Sequence, residues 1–278
     1  MINRSQLKFH ETFQPEAGYI ARILELASTN YSGSKFEISD RTGIPTGNQK
    51  GKVEPHIKYA SFMGLISYTC EKGKYNLALT ALGQEIYSQD PYLHETLTRW
   101  ICHYAISRKI NGAPQWAFLV NNAHVGYIQK ITAERLLKQM ENSFECSISF
   151  EEAFGVVKRS YTEGFFSSLE YLTVDEGTRE FQFNEIQTKE ELLFVYAYAM
   201  LSNWALFFPE KSEITLIELI DELSFGKIFG LSDESIGEVL DELSDEGVIA
   251  VNRQLFPTTI IRMATSDDII ARLYSRLL

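Results

Sequence analysis

The chain has 278 residues, is 45% hydrophobic and carries a formal charge of −11. That size and apolar content predict a globular protein with two or three small cores. No run of about eighteen apolar residues occurs, which argues against a membrane helix, and the acidity excludes indiscriminate adhesion to nucleic acid. Charge is unevenly spread: residues 1–80 hold ten Lys/Arg against seven Asp/Glu, a net of +3, which leaves −14 for the other 198. Contact with a phosphate backbone is therefore expected from the amino-terminal part. The opening MINRSQLKFHETF lacks an apolar signal core, so a cytoplasmic protein is expected. Cys70, Cys102 and Cys146 are odd in number and widely spaced, which predicts reduced, mostly buried thiols and no metal framework.

Gly18 to Thr29 reads as the first helix, with Ile20, Ile23, Leu24 and Ala27 toward a core. Glu37 to Thr42 form a short second helix, with Phe36 and Ile38 inward, ended by Gly43. Pro45 turns the chain, and the basic loop Gly47-Asn48-Gln49-Lys50-Gly51-Lys52 leads to Pro55 in the first turn of a third helix. Ile57, Ala60 and Met63 face inward there, leaving His56, Lys58, Tyr59 and Ser61 nearer the outside. Gly64 stops that helix, and Leu65–Thr69 and Tyr75–Leu79 alternate as strands around Glu71-Lys72-Gly73-Lys74. Helix, turn, helix and hairpin in this order predict a winged helix. Thr80 caps a further helix to Tyr87, which Asp90-Pro91 breaks.

Tyr92–Lys109, Gln115–Asn121, Thr132–Asn142, Ser149–Ser160 and Tyr161–Tyr171 read as helices, followed by a hairpin over 172–183 around Asp175-Glu176-Gly177. This middle shows no repeat and no Gly-rich phosphate loop. Thr188–Phe207 is a strongly apolar helix. A second winged-helix-like unit follows: helices over Leu216–Leu223 and Ser232–Glu246, then strands Val248–Val251 and Thr258–Arg262. Between Asp233 and Gly247 stand seven acidic residues and no Lys or Arg, so phosphates would repel its second helix. The predicted fold is mainly α with small β-hairpins: a winged-helix DNA-binding domain at 1–90, a helical middle domain at 91–208 and an acidic winged-helix-like domain at 209–278.

In a winged helix the loop, second helix and wing meet one duplex together. Lys50, Lys52, Lys58, Lys72 and Lys74 are then candidates for phosphates, and Asn48, Gln49, His56 and Tyr59 for base edges. His10-Glu11 is the most chemically suggestive pair, since histidine can act as a general base and a carboxylate can hold a divalent metal. The plainer account is that both hydrogen-bond the entry to the first helix while Phe9 and Phe13 anchor it. His103, near Trp100, reads as a satisfied core histidine; neither zinc spacing nor a nucleotide site is present, and Asp175, Glu176 and Glu180 read as a solvated turn.

Phe9-His10-Glu11-Thr12-Phe13, Gly51-Lys52-Val53, Leu79-Thr80-x-x-Gly83, Asp90-Pro91-Tyr92-Leu93, Trp100-x-x-His103-Tyr104, Trp116 with Asn121, and Gly226-Lys227-Ile228-Phe229 occur in this order. Together they resemble the SspB-type family of bacterial single-strand DNA phosphorothioation proteins, formerly a domain of unknown function. The resemblance implies a DNA-nicking or DNA-engaging subunit of a modification and defence system. Its partners would be double-stranded DNA, an ATPase, a PAPS-reductase-like ATP pyrophosphatase and a cysteine desulfurase, which together replace a non-bridging phosphate oxygen with sulfur. A nickase would draw on Mg²⁺ or Mn²⁺; no catalytic set is carried over residue by residue. The alternatives are a non-catalytic winged-helix regulator, as a homodimer, and a protein-interaction adaptor.

Overall fold

The computed structural model describes residues 4–122, 130–144, 147–254 and 256–277. The chain forms two compact units, Met1–Phe183 and Asn184–Leu278. The helix expected at the end of the helical middle domain, within Thr188–Phe207, falls in the second. Both units are helical with small antiparallel sheets.

In the first unit, α1 (Arg4–Leu7) and α2 (Ala17–Ala27) precede β1 (Ser32–Ser34), α3 (Lys35–Thr42), α4 (Val53–Phe62), β2 (Ile66–Glu71), β3 (Lys74–Leu79) and α5 (Ala81–Gln89). The three strands order as β1-β3-β2, with Lys74 opposite both Ser34 and Glu71. Local chemistry fixes this path. Ser34 Oγ accepts the Glu37 N–H at 3.3 Å while Glu37 Oε2 accepts the Ser34 N–H at 2.7 Å, a reciprocal cap that starts α3. Lys72 and Gly73 have φ of 50° and 78°, the two left-handed residues of a hairpin turn whose twist matches its strands. Thr80 Oγ1 accepts the Gly83 N–H at 2.8 Å to start α5. A Cβ on Gly83 would lie 1.8 Å from the Leu65 carbonyl oxygen, so only glycine lets α5 approach the chain entering β2.

The unit continues with α6 (Thr96–Ser107), α7 (Pro114–Asn122), β4 (Lys130–Thr132), α8 (Ala133–Phe144), a π-helical turn Glu151–Gly155, α9 (Val156–Thr162), β5 (Leu172–Asp175) and β6 (Glu180–Phe183). Two expectations need correction. The helix expected from Tyr92 begins at Thr96, because the buried Asp90 carboxylate accepts the His94 and Glu95 N–H groups at 2.9 Å each and Leu93 is left-handed. No helix runs over Tyr161–Tyr171: α9 stops at Thr162, and only Ser167–Leu169 makes a single turn. Aromatic packing replaces it, with Tyr161 and Phe166 stacked at 5.2 Å and Tyr171 at 4.6 Å from the His103 ring.

The middle is not free of repeats. β4, β6 and β5 form a second sheet ordered β4-β6-β5, with the topology of the first. The second unit holds a third. After α10 (Leu193–Phe207) come β7 (Glu213–Thr215), a π-helical turn Glu218–Glu222, α11 (Phe225–Phe229), α12 (Asp233–Asp245), β8 (Ile249–Asn252), β9 (Thr259–Arg262) and α13 (Ser266–Ile270), with sheet order β7-β9-β8. Each short first strand ends on a hydroxyl that caps the following turn: Ser34, Thr132 and Thr215 accept the N–H groups of Glu37, Arg135 and Glu218 at 3.3, 3.3 and 3.1 Å. Among the described residues no helix is long and apolar enough to cross a membrane.

Candidate nucleic-acid interface

The loop between α3 and α4 is closed by the Lys52 N–H donating to the Pro45 carbonyl at 2.8 Å. Asn48, Gln49 and Lys50 stand exposed at its tip. Its far end is fastened from outside: Glu11 Oε2 accepts the Gly51 N–H at 3.2 Å. Lys52 is half-buried, 2.7 Å from Glu16 and over the Tyr19 ring at 5.0 Å. The hydrogen bond to Glu16 pushes its ammonium pKa upward. Lys52 thus holds the loop to the start of α2 more than it projects from it.

Helix α4 buries more of its circumference than its periodicity suggests. Ile57, Ala60 and Met63 are buried as expected, but His56 and Tyr59, expected toward the outside, are buried as well. Two segments cause this: Phe9–Phe13 crosses Tyr59 as a strap, and Glu16 with Tyr19 at the start of α2 lies against His56. Tyr59 donates its hydroxyl to the Phe13 carbonyl at 2.8 Å, and Phe9 packs on Tyr59, Phe62 and Trp116 at 5.1, 4.9 and 6.1 Å. His56 Nε2 accepts the Glu16 N–H at 3.2 Å, which leaves Nδ1 to donate to the Lys52 carbonyl at 2.7 Å. Burial holds its pKa down to about 4, so the ring is neutral. Phe36, expected inward, is exposed: α3 starts at Lys35, which puts Phe36 in the first turn under the Lys35 ammonium at 5.6 Å.

What α4 presents outward is Glu54, Lys58 and Ser61, all half-buried. Glu54 is paired with Lys35 at 3.1 Å. Lys72 and Lys74 are exposed on the hairpin. Lys50, Lys58, Lys72 and Lys74 form no salt bridge among the described residues. Cys70 is exposed on β2, Cys102 is buried, and Cys146 lies outside the described residues.

His10 and Glu11 are structural in their visible contacts. His10 is buried, its Nδ1 accepts the Thr12 N–H at 3.1 Å, and its Nε2 lies 3.3 Å from the Gln115 amide nitrogen. Burial, then the charge of Arg159, pushes its pKa down to about 4. Arg159 also donates to the Thr12 carbonyl at 3.3 Å and pairs with Glu151 at 2.7 Å. Among the described residues no group of three or more His, Cys, Asp or Glu side chains is gathered as a metal would need. His103, as expected, is a core histidine, 2.6 Å from the Tyr161 hydroxyl.

Sequence reasoning missed a cleft of about 370 Å³ between the strap, the basic loop and the π-helical turn, lined by Lys8, Glu11, Gln49, Lys50, Glu152 and Val156 among others. Its one sequence signal is a polar His-Glu-Thr held between two phenylalanines. Glu11 and Thr12 both have left-handed φ, 48° and 77°, a conformation that is an outlier for a β-branched residue.

The counterpart of α4 in the second unit is α12. Its inward residues Ile236, Val239, Leu240 and Leu243 are buried, and Asp233, Glu234, Glu238, Asp241, Glu242 and Asp245 are exposed. Basic residues near it are engaged: Arg253 with Asp241 at 2.6 Å, and Arg276 with Glu246 at 2.5 Å and Glu242 at 3.7 Å.

An α-rich chain with repeated strand–helix–helix–hairpin modules, one of them lysine-bearing, is the class these features define. The family model "Protein of unknown function (DUF4007)" matches residues 8–268, and the chain belongs to that family. In fold it is similar to a crystal structure of magnesium ion-bound SspB, with a TM-score of 0.78 at 16% identity over 96% of this chain and 87% of that one. It is likewise similar to another SspB crystal structure, with a TM-score of 0.76 at 17% identity and the same coverage. A comparison with curated proteins gave no match.

Proposed function

We propose that the chain binds double-stranded DNA through residues 32–79, acting as a winged helix, in a bacterial DNA modification or defence system of the phosphorothioation kind. The observation that carries this reading is the set of lysines without salt bridges among the described residues: Lys50 on the loop, Lys58 on α4, and Lys72 and Lys74 on the hairpin. These are the three places from which a winged helix meets one duplex. Lysines there contact phosphates, and the exposed Asn48 and Gln49 are the candidates for base edges. His56 and Tyr59 position α4, and Lys52 positions the loop. The system follows from the similarity to SspB, and with it come the proposed partners: an ATPase, an ATP pyrophosphatase and a cysteine desulfurase.

Nicking, with Mg²⁺ or Mn²⁺, belongs to the same resemblance and is consistent with the magnesium ion in one similar SspB structure. The described residues do not gather a ligand set for such an ion, so no step is derived through it. The second reading, a non-catalytic regulator, is favoured by His10, which lines the cleft but is 3% exposed, with Nδ1 accepting the Thr12 N–H and Nε2 beside the Gln115 amide. One experiment separates them. The full chain is titrated onto a fluorescent duplex and incubated with supercoiled plasmid plus Mg²⁺ or Mn²⁺. Duplex binding with nicked circles supports the nicking component, binding with intact plasmid leaves the regulator, and no duplex binding overturns the DNA reading.

A further inference from the structure

We propose that the cleft beneath the basic loop takes one unpaired nucleotide whose base carries an exocyclic amino group. The inference rests on the DNA-binding reading for where the nucleotide comes from, and on the cleft alone for its chemistry. At about 370 Å³ the space lies at the small end of pockets that hold organic ligands. It suits one nucleotide and excludes a duplex. Gln49 and Lys50 belong both to the cleft wall and to the exposed loop, so a nucleotide displaced from bound DNA reaches the cleft directly.

The wall supplies the parts a nucleotide needs. Lys8 and Lys50 are the cations for its phosphate, and Val156 with the lysine stems gives an apolar surface for the base. Glu11 gives the selectivity. Two consecutive left-handed residues turn the strap so that Glu11 Oε2 takes the Gly51 N–H, while Oε1 has no partner among the described residues. A carboxylate is acceptor-only, so at the exocyclic position it favours the amino groups of cytosine, adenine or guanine over the O4 acceptor of thymine, which would have only its N3–H to donate. Glu152, paired with Lys8 at 2.6 Å, and Glu151, paired with Arg159 at 2.7 Å, are further carboxylates of the lining whose charge is met by those cations. Enzymes and readers that extrude a base recognise its Watson–Crick edge in a pocket of this kind.

The test is calorimetric titration of the full-length protein with dCMP, dTMP and inorganic phosphate. The expected result is saturable dCMP binding, with dTMP about tenfold weaker, the low end of discrimination by a good base contact. Val156→Trp, which fills the cleft, abolishes dCMP binding. Because Val156 is buried and that variant can fail to fold, Glu11→Gln is the second probe: its amide offers a donor as well as an acceptor, and the preference for dCMP over dTMP collapses. Binding of dCMP no tighter than phosphate, equal binding of dCMP and dTMP, or an unchanged preference in Glu11→Gln each overturns the proposal. Duplex binding without dCMP binding overturns the cleft proposal alone, whereas dCMP binding without duplex binding supports the cleft and overturns the DNA reading.

Discussion

Residues 32–79 and 213–262 follow the same path with opposite surfaces. In both, a three-residue strand ends on a hydroxyl, that hydroxyl starts a helical turn with a glutamate three residues on, and a hairpin closes the sheet in the order first-third-second. Inward positions are apolar in both: Ile38, Ile57 and Ala60 in one, Leu219, Ile236 and Val239 in the other. Outward positions differ. One copy carries lysines free of salt bridges among the described residues, and the other carries six exposed carboxylates on α12, two of them, Asp241 and Glu242, paired to its own arginines. The difference teaches that caps, turn and buried face set the path, while the charge of the outer face is left to function. The hairpins differ too: the first turns on Lys72-Gly73, and the second joins Asn252 to Thr259 by a longer stretch of sequence that carries Phe256, 99% exposed.

The largest effect that would sharpen this comparison concerns the strap over the second helix of the first copy. Phe9→Ala removes a ring packed against Tyr59, Phe62 and Trp116, and should cost about 3–5 kcal/mol. Chemical denaturation would read it; a loss below about 1 kcal/mol, the level of an ordinary surface change, would mean that the strap does not hold α4.

Acid should weaken the first unit selectively, because every histidine of the chain precedes residue 184. His10 and His56 have folded pKa values lowered from 6.5 to about 4. Between those values the unfolded chain binds more protons than the folded one, so stability rises with pH and is lost as pH falls from 6.5 toward 4. Each histidine should contribute a loss of about 2 kcal/mol by pH 5. Calorimetry at pH 7 and 5 checks this, and His56→Gln should flatten the dependence; an identical slope in the variant would contradict the assignment.

The smallest effects test whether the path is set alike in both copies. Ser34→Ala and Thr215→Ala each remove one cap and should each cost about 1 kcal/mol. Circular-dichroism melts showing a cost in one copy and none in the other would break the equivalence.

Much of the first copy was legible because its signals are local. Gly43, Pro55, Gly64, the Lys72-Gly73 turn and the Thr80 cap act within a few residues of themselves, and each ends or starts the element expected. Tyr59 was misplaced because the strap that covers it comes from 46 positions earlier, and His56 because Glu16, 40 positions earlier, and Tyr19 lie against it. The middle sheet was obscured because its first strand is only Lys130–Thr132, too short for alternation to register. Of the candidate site, the lysines were readable from charge and order. The cleft was not, since Lys8, Lys50 and Val156 meet only through folding.

The central claim is that the first copy engages duplex DNA and the second does not. Duplex affinity measured against salt tests it most directly, in the wild type, in Lys50→Glu/Lys72→Glu/Lys74→Glu and in Asp241→Lys/Glu242→Lys. Each phosphate contact contributes about 0.9 to the slope of log affinity against log salt. The triple variant should therefore bind more weakly with a slope shallower by about three, and the second-copy variant should show no loss of affinity. A wild-type slope in the triple variant, or a loss of affinity on reversing Asp241 and Glu242, would contradict the account.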